Sequence, residues 1–171
     1  MKKNQQGAAL VEFALVSIVF FTLLLGIVEF ARITFIYNTL TEATRKGARL
    51  AAVCSVSSDS IDKVRNVTIF NDINDSGAST AFNLAQNNVE VLYFKSDLST
   101  TVSPGLPDGS AEYDDIEFVR VSIIGFNHTM LIPFFSDTIF KEWAFMTILP
   151  SESLGRTSPT NPPVRGCDFP S

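Results

Sequence analysis

Gly7-Ala8-Ala9-Leu10-Val11-Glu12-Phe13 opens an apolar run that continues to Val28, and Glu12 is the only charge in it. At ~1.5 Å per residue, residues 8–28 reach about 31 Å as a helix, enough to cross a ~30 Å hydrocarbon core. A carboxylate inside that core costs about 2.5–3.5 kcal/mol even on lenient insertion scales, so Glu12 asks for a partner. No basic residue lies near it on the apolar side. The leader Met1-Lys2-Lys3-Asn4-Gln5-Gln6-Gly7 is basic, which places it in the cytoplasm and the rest of the chain outside.

Beyond Val28 the helical pattern does not stop. No proline falls between Glu29 and Ala52, and Phe30, Ile33, Tyr37, Leu40, Thr44, Gly47 and Ala51 recur at spacings of three and four. Ile36, Ala43 and Leu50 widen this stripe, while Arg32, Glu42, Arg45, Lys46 and Arg49 lie mostly elsewhere. The pattern predicts one helix from Ala8 to about Val53, apolar all round in its first half and amphipathic in its second. A secretory signal is the rival reading, but signal cores are shorter, about 7–15 residues, and no small-residue cleavage site with a loop behind it follows the run.

Charge divides along the same line. Residues 1–53 hold six Lys/Arg against three Asp/Glu, and residues 54–171 hold seven against fifteen, within a net charge of −5 over 171 residues. An acidic outer part argues against nucleic acid, whose phosphates demand clustered Lys and Arg.

The leader ending in Gly7, the small residues Ala8 and Ala9, Glu12 at the fifth position beyond that glycine and the hydrophobic helix behind it resemble type IV pilins and pseudopilins. Within that group, Gly7–Leu15, then Gly26-Ile27-Val28-Glu29-Phe30-Ala31-Arg32, and Ala43-Thr44-Arg45-Lys46-Gly47-Ala48-Arg49, are similar to the TadE-like (TadE/TadF) minor pilins of tight adherence (Tad) pili. The resemblance covers residues 1 to about 53; further on it is one of layout only. It implies that a prepilin peptidase cuts between Gly7 and Ala8, and that Glu12 attracts the new α-amine of a neighbouring subunit and sets the axial register. Either charge alone is heavily penalised in low dielectric, whereas the pair is strong. Phe13 stands where major pilins of this class favour Tyr. The simpler reading of Glu12 is a side chain that reaches back toward the cytoplasmic headgroups.

The same resemblance implies the partners: the peptidase, other major and minor pilins, the inner-membrane assembly platform, and membrane lipid before assembly. It places the chain in the inner membrane with the head periplasmic or extracellular, and in the pilus after assembly. Major subunits of the class are little more than a helix, so a bulky head points to a minor subunit. An uncleaved single-pass protein with an outer binding domain, and a type II secretion pseudopilin, are the alternatives.

The outer part reads as a small α+β head. Ser58-Asp59 cap a short helix through about Phe70, and Asn88–Lys95 alternates as a strand. Residues 99–115, with Pro104, Gly105, Pro107 and Gly109, read as a long exposed loop. Ile116–Phe126 and Phe140–Leu149 read as two more strands, giving an antiparallel sheet of three strands or more that covers the amphipathic half of the long helix. Between them Met130-Leu131-Ile132-Pro133-Phe134-Phe135 reads as a turn that completes the core or, alternatively, as a membrane-proximal or partner-binding loop. The expected division is a leader 1–7, a transmembrane half 8–28, an amphipathic half 29–53, a head 54–156 and a Pro-rich tail 157–171.

Cys54 and Cys167 are the only cysteines, and both follow the membrane segment into a compartment where disulfides persist. A Cys54–Cys167 bridge would pin the tail to the end of the long helix, with an intersubunit bridge as the alternative. Chemistry finds little footing. His128 is the only histidine, and no Cys-x-x-Cys or phosphate-binding loop occurs. The stretch from Asp72 has Asn83 where a calcium loop needs its bidentate Glu, and Glu112, Asp114, Asp115 and Glu117 read as a solvated loop. No enzyme, metal or cofactor is expected.

Overall fold

The structure, a computed structural model, describes residues 5–72, 82, 84–102, 111–128, 130, 143–155 and 167. One helix, α1 (Gln5–Val53), runs 49 residues without a break. It is followed by α2 (Ser58–Thr68), a 3₁₀ turn (Gln86–Asn88), β1 (Val89–Phe94), β2 (Thr101–Val102), a helical turn α3 (Ala111–Asp114), β3 (Phe118–Phe126) and β4 (Trp143–Pro150). The strands form one antiparallel sheet in the order β2-β1-β3-β4. The fold is α+β, with a membrane-length apolar helix and a small antiparallel sheet, as the sequence predicts.

Strand alternation sets the inner face of the sheet. Val89, Val91 and Tyr93 of β1 lie beside Ile123, Val121 and Val119 of β3, which pair in turn with Phe145, Thr147 and Leu149 of β4. These rows close onto the second half of α1, where Ile36, Leu40, Ala43, Ala48, Ala51 and Ala52 are buried. Small residues on this face allow a close approach. A β-carbon at Gly47 would stand 2.1 Å from Thr68 Oγ1 and 3.2 Å from Val121 Cγ1, so glycine is required where α1 crosses α2 and β3. The Thr44 and Thr147 hydroxyls meet at 2.9 Å across the same contact.

The buried stripe of α1 differs from the predicted one at its membrane end. Phe30 is 72 % exposed and Tyr37 is 53 % exposed, whereas Glu29 is buried. The inward line runs Glu29, Ile33, Ile36, Leu40, Ala43, Gly47, a heptad-like series in which a charged residue takes the place expected of an aromatic. Hydropathy favoured Phe30; the partner that draws Glu29 inward is nearly a hundred residues away in sequence.

Two further expectations are corrected. Residues 99–115 are not wholly an exposed loop: Thr101 and Val102 pair with Phe94 and Tyr93, and Tyr113 of α3 is buried and donates to Leu154 O. Ser57, rather than Ser58, caps α2, accepting from Ser60 N, and the helix ends at Thr68. The segment 131–135, most of the stretch 73–83 and the tail apart from Cys167 lie outside the described residues.

The end of α1 is capped by the chain that leaves β4. Glu152 N donates to Ala52 O at 3.0 Å and Ser153 Oγ to Val53 O at 3.3 Å, satisfying carbonyls that a helix terminus leaves open. Cys54, one residue past the helix, is disulfide-bonded to Cys167 with a Cα–Cα distance of 5.2 Å. The helix is therefore held to the head along its second half and at its tip.

Candidate functional site

The predicted processing residues lie at the free end of this helix. Gly7 and Ala8 are exposed in the first turns of α1, and a β-carbon at Gly7 would meet nothing within 4 Å. Among the described residues nothing packs close enough to Gly7 to require glycine there. Glu12 follows Ala8 by four residues, so the two share one helix face. Glu12 and Phe13 are both exposed, and around them the helix presents Leu10, Val11, Leu15, Val16, Ile18 and Val19 to its surroundings. An apolar surface of this extent on a monomer requires a covering of lipid or of other helices. Cys54 and Cys167 stand at the opposite end, so the predicted site residues fall into two groups separated by most of the helix.

A third group was not read from the sequence. His128 Nε2 lies 2.6 Å from Glu29 Oε1, with Glu29 3 % and His128 5 % exposed. Arg32 Nη1 approaches the same oxygen at 3.5 Å from one turn further along α1. The group joins α1 to the end of β3 at the point where the helix enters the head.

A β-bulge delivers the histidine. Ile123 pairs with Phe145 and Phe126 with Trp143, so β3 spends one more residue than β4 across this interval. Gly125 takes φ +69° within it, a conformation that L side chains rarely adopt. One extra residue reverses the alternation, turning Phe126 and then His128 toward α1, where they would otherwise face away. The Phe126 ring packs on Phe145 at 6.2 Å, and Phe145 on Tyr37 at 5.6 Å. The signals for this group were the heptad position of Glu29 and the glycine late in β3, each ambiguous alone.

Among the described residues no three His, Cys, Asp or Glu side chains come together as metal ligands would. The acidic residues near α3 are exposed, and Asp115 accepts from Lys95 Nζ at 2.9 Å.

Fold and site together define a helix-anchored α+β protein: one long helix, bare and apolar in its first half, clasped in its second by a small sheet. Residues 7–49 match the model of the family described as TadE-like protein. The match begins at Gly7, ends in the last turns of α1 and includes Glu12, Glu29 and Gly47. Comparison with curated proteins and with solved structures gave no match.

Proposed function

We propose that the chain is a non-enzymatic minor pilin or pseudopilin of a Tad-type pilus, cleaved after Gly7 by a prepilin peptidase and used in pilus assembly or at the tip in adherence. The observation that carries this reading is Glu12, an exposed acid near the start of a bare apolar helix, five residues beyond a glycine within a TadE-like segment. Cleavage would create a partner for Glu12, because Ala8 then bears an α-amine. In a bundle of such helices the amine of one subunit faces the acid of the next, and mispaired registers leave each charge alone in low dielectric. Gly7 lets the peptide at the cut adopt the extended form a peptidase needs, which a helical Gly7–Ala8 bond must leave. The head would project outside the membrane, joined to the helix from Glu29 onward, leaving the first half free to pass from lipid to filament.

The test is the mature N-terminus. Mass spectrometry of protein made alongside its own peptidase should find Ala8 first, and Met1 retained would defeat the reading. Glu12→Gln should leave cleavage intact and abolish incorporation into filaments; normal piliation would show that the register argument is wrong.

A further inference from the structure

Sequence alone closes the apolar span at Glu29; in the fold that boundary exists on one side of the helix only. Glu29 is turned into the head and held by His128, and Arg32 sits beside it with its side chain about a third exposed at the edge of the head. On the side of α1 away from the head, the first charge after Glu12 is Glu42. The uncharged surface from Phe13 to Thr41 is about 43 Å long at ~1.5 Å per residue. That exceeds a ~30 Å hydrocarbon core and equals the ~40–45 Å of a bilayer with its headgroups.

The residues in the excess length are of the kind that boundary region holds. Phe30, 72 % exposed, and Tyr37, 53 %, lie on one shoulder of the outward arc, and Phe35, 64 %, lies on the other. Ala31, Thr34 and Asn38 fall between them by the helical period. The Thr34, Thr39 and Thr41 hydroxyls donate to the carbonyls of Phe30, Phe35 and Tyr37 at 2.8–2.9 Å, so their polarity is satisfied within the helix. Aromatic rings at headgroup level and internally bonded hydroxyls are what a lipid boundary selects. Arg45, Lys46 and Arg49, exposed further on, begin the aqueous part.

We propose that the outward arc of α1 from Phe30 to Thr41 lies in the outer headgroup and acyl boundary of the bilayer, so that the head rests against lipid before assembly. The partner of this surface is a lipid interface. The buried Glu29–His128 pair makes the seat available, since an outward carboxylate at that level would meet lipid. The proposal rests on α1 spanning a bilayer.

Depth-resolved tryptophan quenching tests it on the full chain in phosphatidylcholine vesicles, with Trp143→Phe as background. Phe20→Trp should be quenched by lipids carrying a nitroxide deep in the acyl chain. Phe35→Trp should be quenched by nitroxide near the headgroup, and Arg45→Trp only by aqueous acrylamide. Phe35 is exposed, so exchanging one aromatic ring for another leaves the packing intact. Quenching of Phe35→Trp by acrylamide alone, while Phe20→Trp responds to deep nitroxide, would overturn the seat and leave the span standing. Protection of Phe35→Trp from both quenchers would also overturn it and give the face to another helix. Failure of Phe20→Trp to respond to any lipid quencher would sink the span and the seat together.

Discussion

Glu29 shows how one residue changes meaning between sequence and fold. By hydropathy it ends the apolar run; in the structure it continues the buried face of α1, because His128 and Arg32 supply what its carboxylate needs. Breaking such a pair costs more than never having made it, since the remaining polar group stays buried. His128→Leu is therefore expected to destabilise the detergent-solubilised chain by about 1–3 kcal/mol, because Arg32 still approaches the carboxyl, and Glu29→Leu with His128→Leu to recover most of that in thermal unfolding. A double variant no more stable than the single one would remove the pairing argument. The two buried tyrosines should behave oppositely. Tyr113 donates to Leu154 O, so Tyr113→Phe leaves that carbonyl open and should cost about 1–3 kcal/mol. Tyr93 O–H has no partner among the described residues, so Tyr93→Phe should be neutral or stabilising by up to about 1 kcal/mol. Burial first, and the neighbouring Tyr113 second, push the Tyr93 phenol above its usual value of 10.0. Its raised value means the fold favours the protonated form, so this contribution is complete below about pH 10 and is lost as pH rises further, which ultraviolet titration of the phenolate would follow.

Elements were legible where their pattern is periodic and local. The unbroken run of α1 and the alternation of β1, β3 and β4 follow from the chain itself, whereas β2 is two residues long and exists through its pairing with β1. The crossing of α1 over α2 was half legible: Gly47 lay on the predicted stripe, but only the fold shows why no β-carbon fits. Gly47→Ala gains about 1 kcal/mol of helix propensity and loses about 1–3 kcal/mol to overpacking against Thr68, so a net loss of stability is expected. In a Thr68→Ala background, where the Oγ1 that meets the new methyl is gone, the same change should become neutral or favourable; additive effects in the double-mutant cycle would refute the contact. The turn between β1 and β2 is held by Asp97. Its carboxylate accepts from Ser99 Oγ at 2.7 Å, Thr100 Oγ1 at 2.8 Å and both backbone amides at 3.1 Å. These bonds, the Ser99 hydroxyl foremost, hold its acid well below the ordinary 3.8. A depressed value contributes stability that is complete above about pH 4 and is lost as pH falls through the folded value. The Ser99 and Thr100 amide resonances should follow that low titration, and Asp97→Asn should abolish it.

At the scale of the whole molecule the head grips the second half of α1 from the Glu29–His128 pair at the membrane end, through the Gly47 crossing in the middle, to the Cys54–Cys167 bond at the tip. Among the described residues the first half of the helix has no internal partner, and its helical course was the most legible part of the chain, because an unbroken apolar run sets it locally. The membrane end of the head was the least legible, since it depends on a bulge that reverses the facing of His128. The tip grip has a measurable consequence. The disulfide closes a loop with a sequence separation of 113, worth about 4–5 kcal/mol in the chain-entropy model. Cys54→Ser with Cys167→Ser should therefore lower the midpoint of thermal unfolding by about 10 °C for a chain of this length. Intact protein should resist alkylation unless first reduced, and should migrate as a monomer without reductant. Free thiols in folded, oxidised protein, or a reducible dimer, would show that the tail is not tied to its own helix. If both cysteines are bound within the chain but the double variant unfolds at the original temperature, then the carbonyl caps supplied by Glu152 and Ser153 already hold the tip, and the bond adds no constraint of its own.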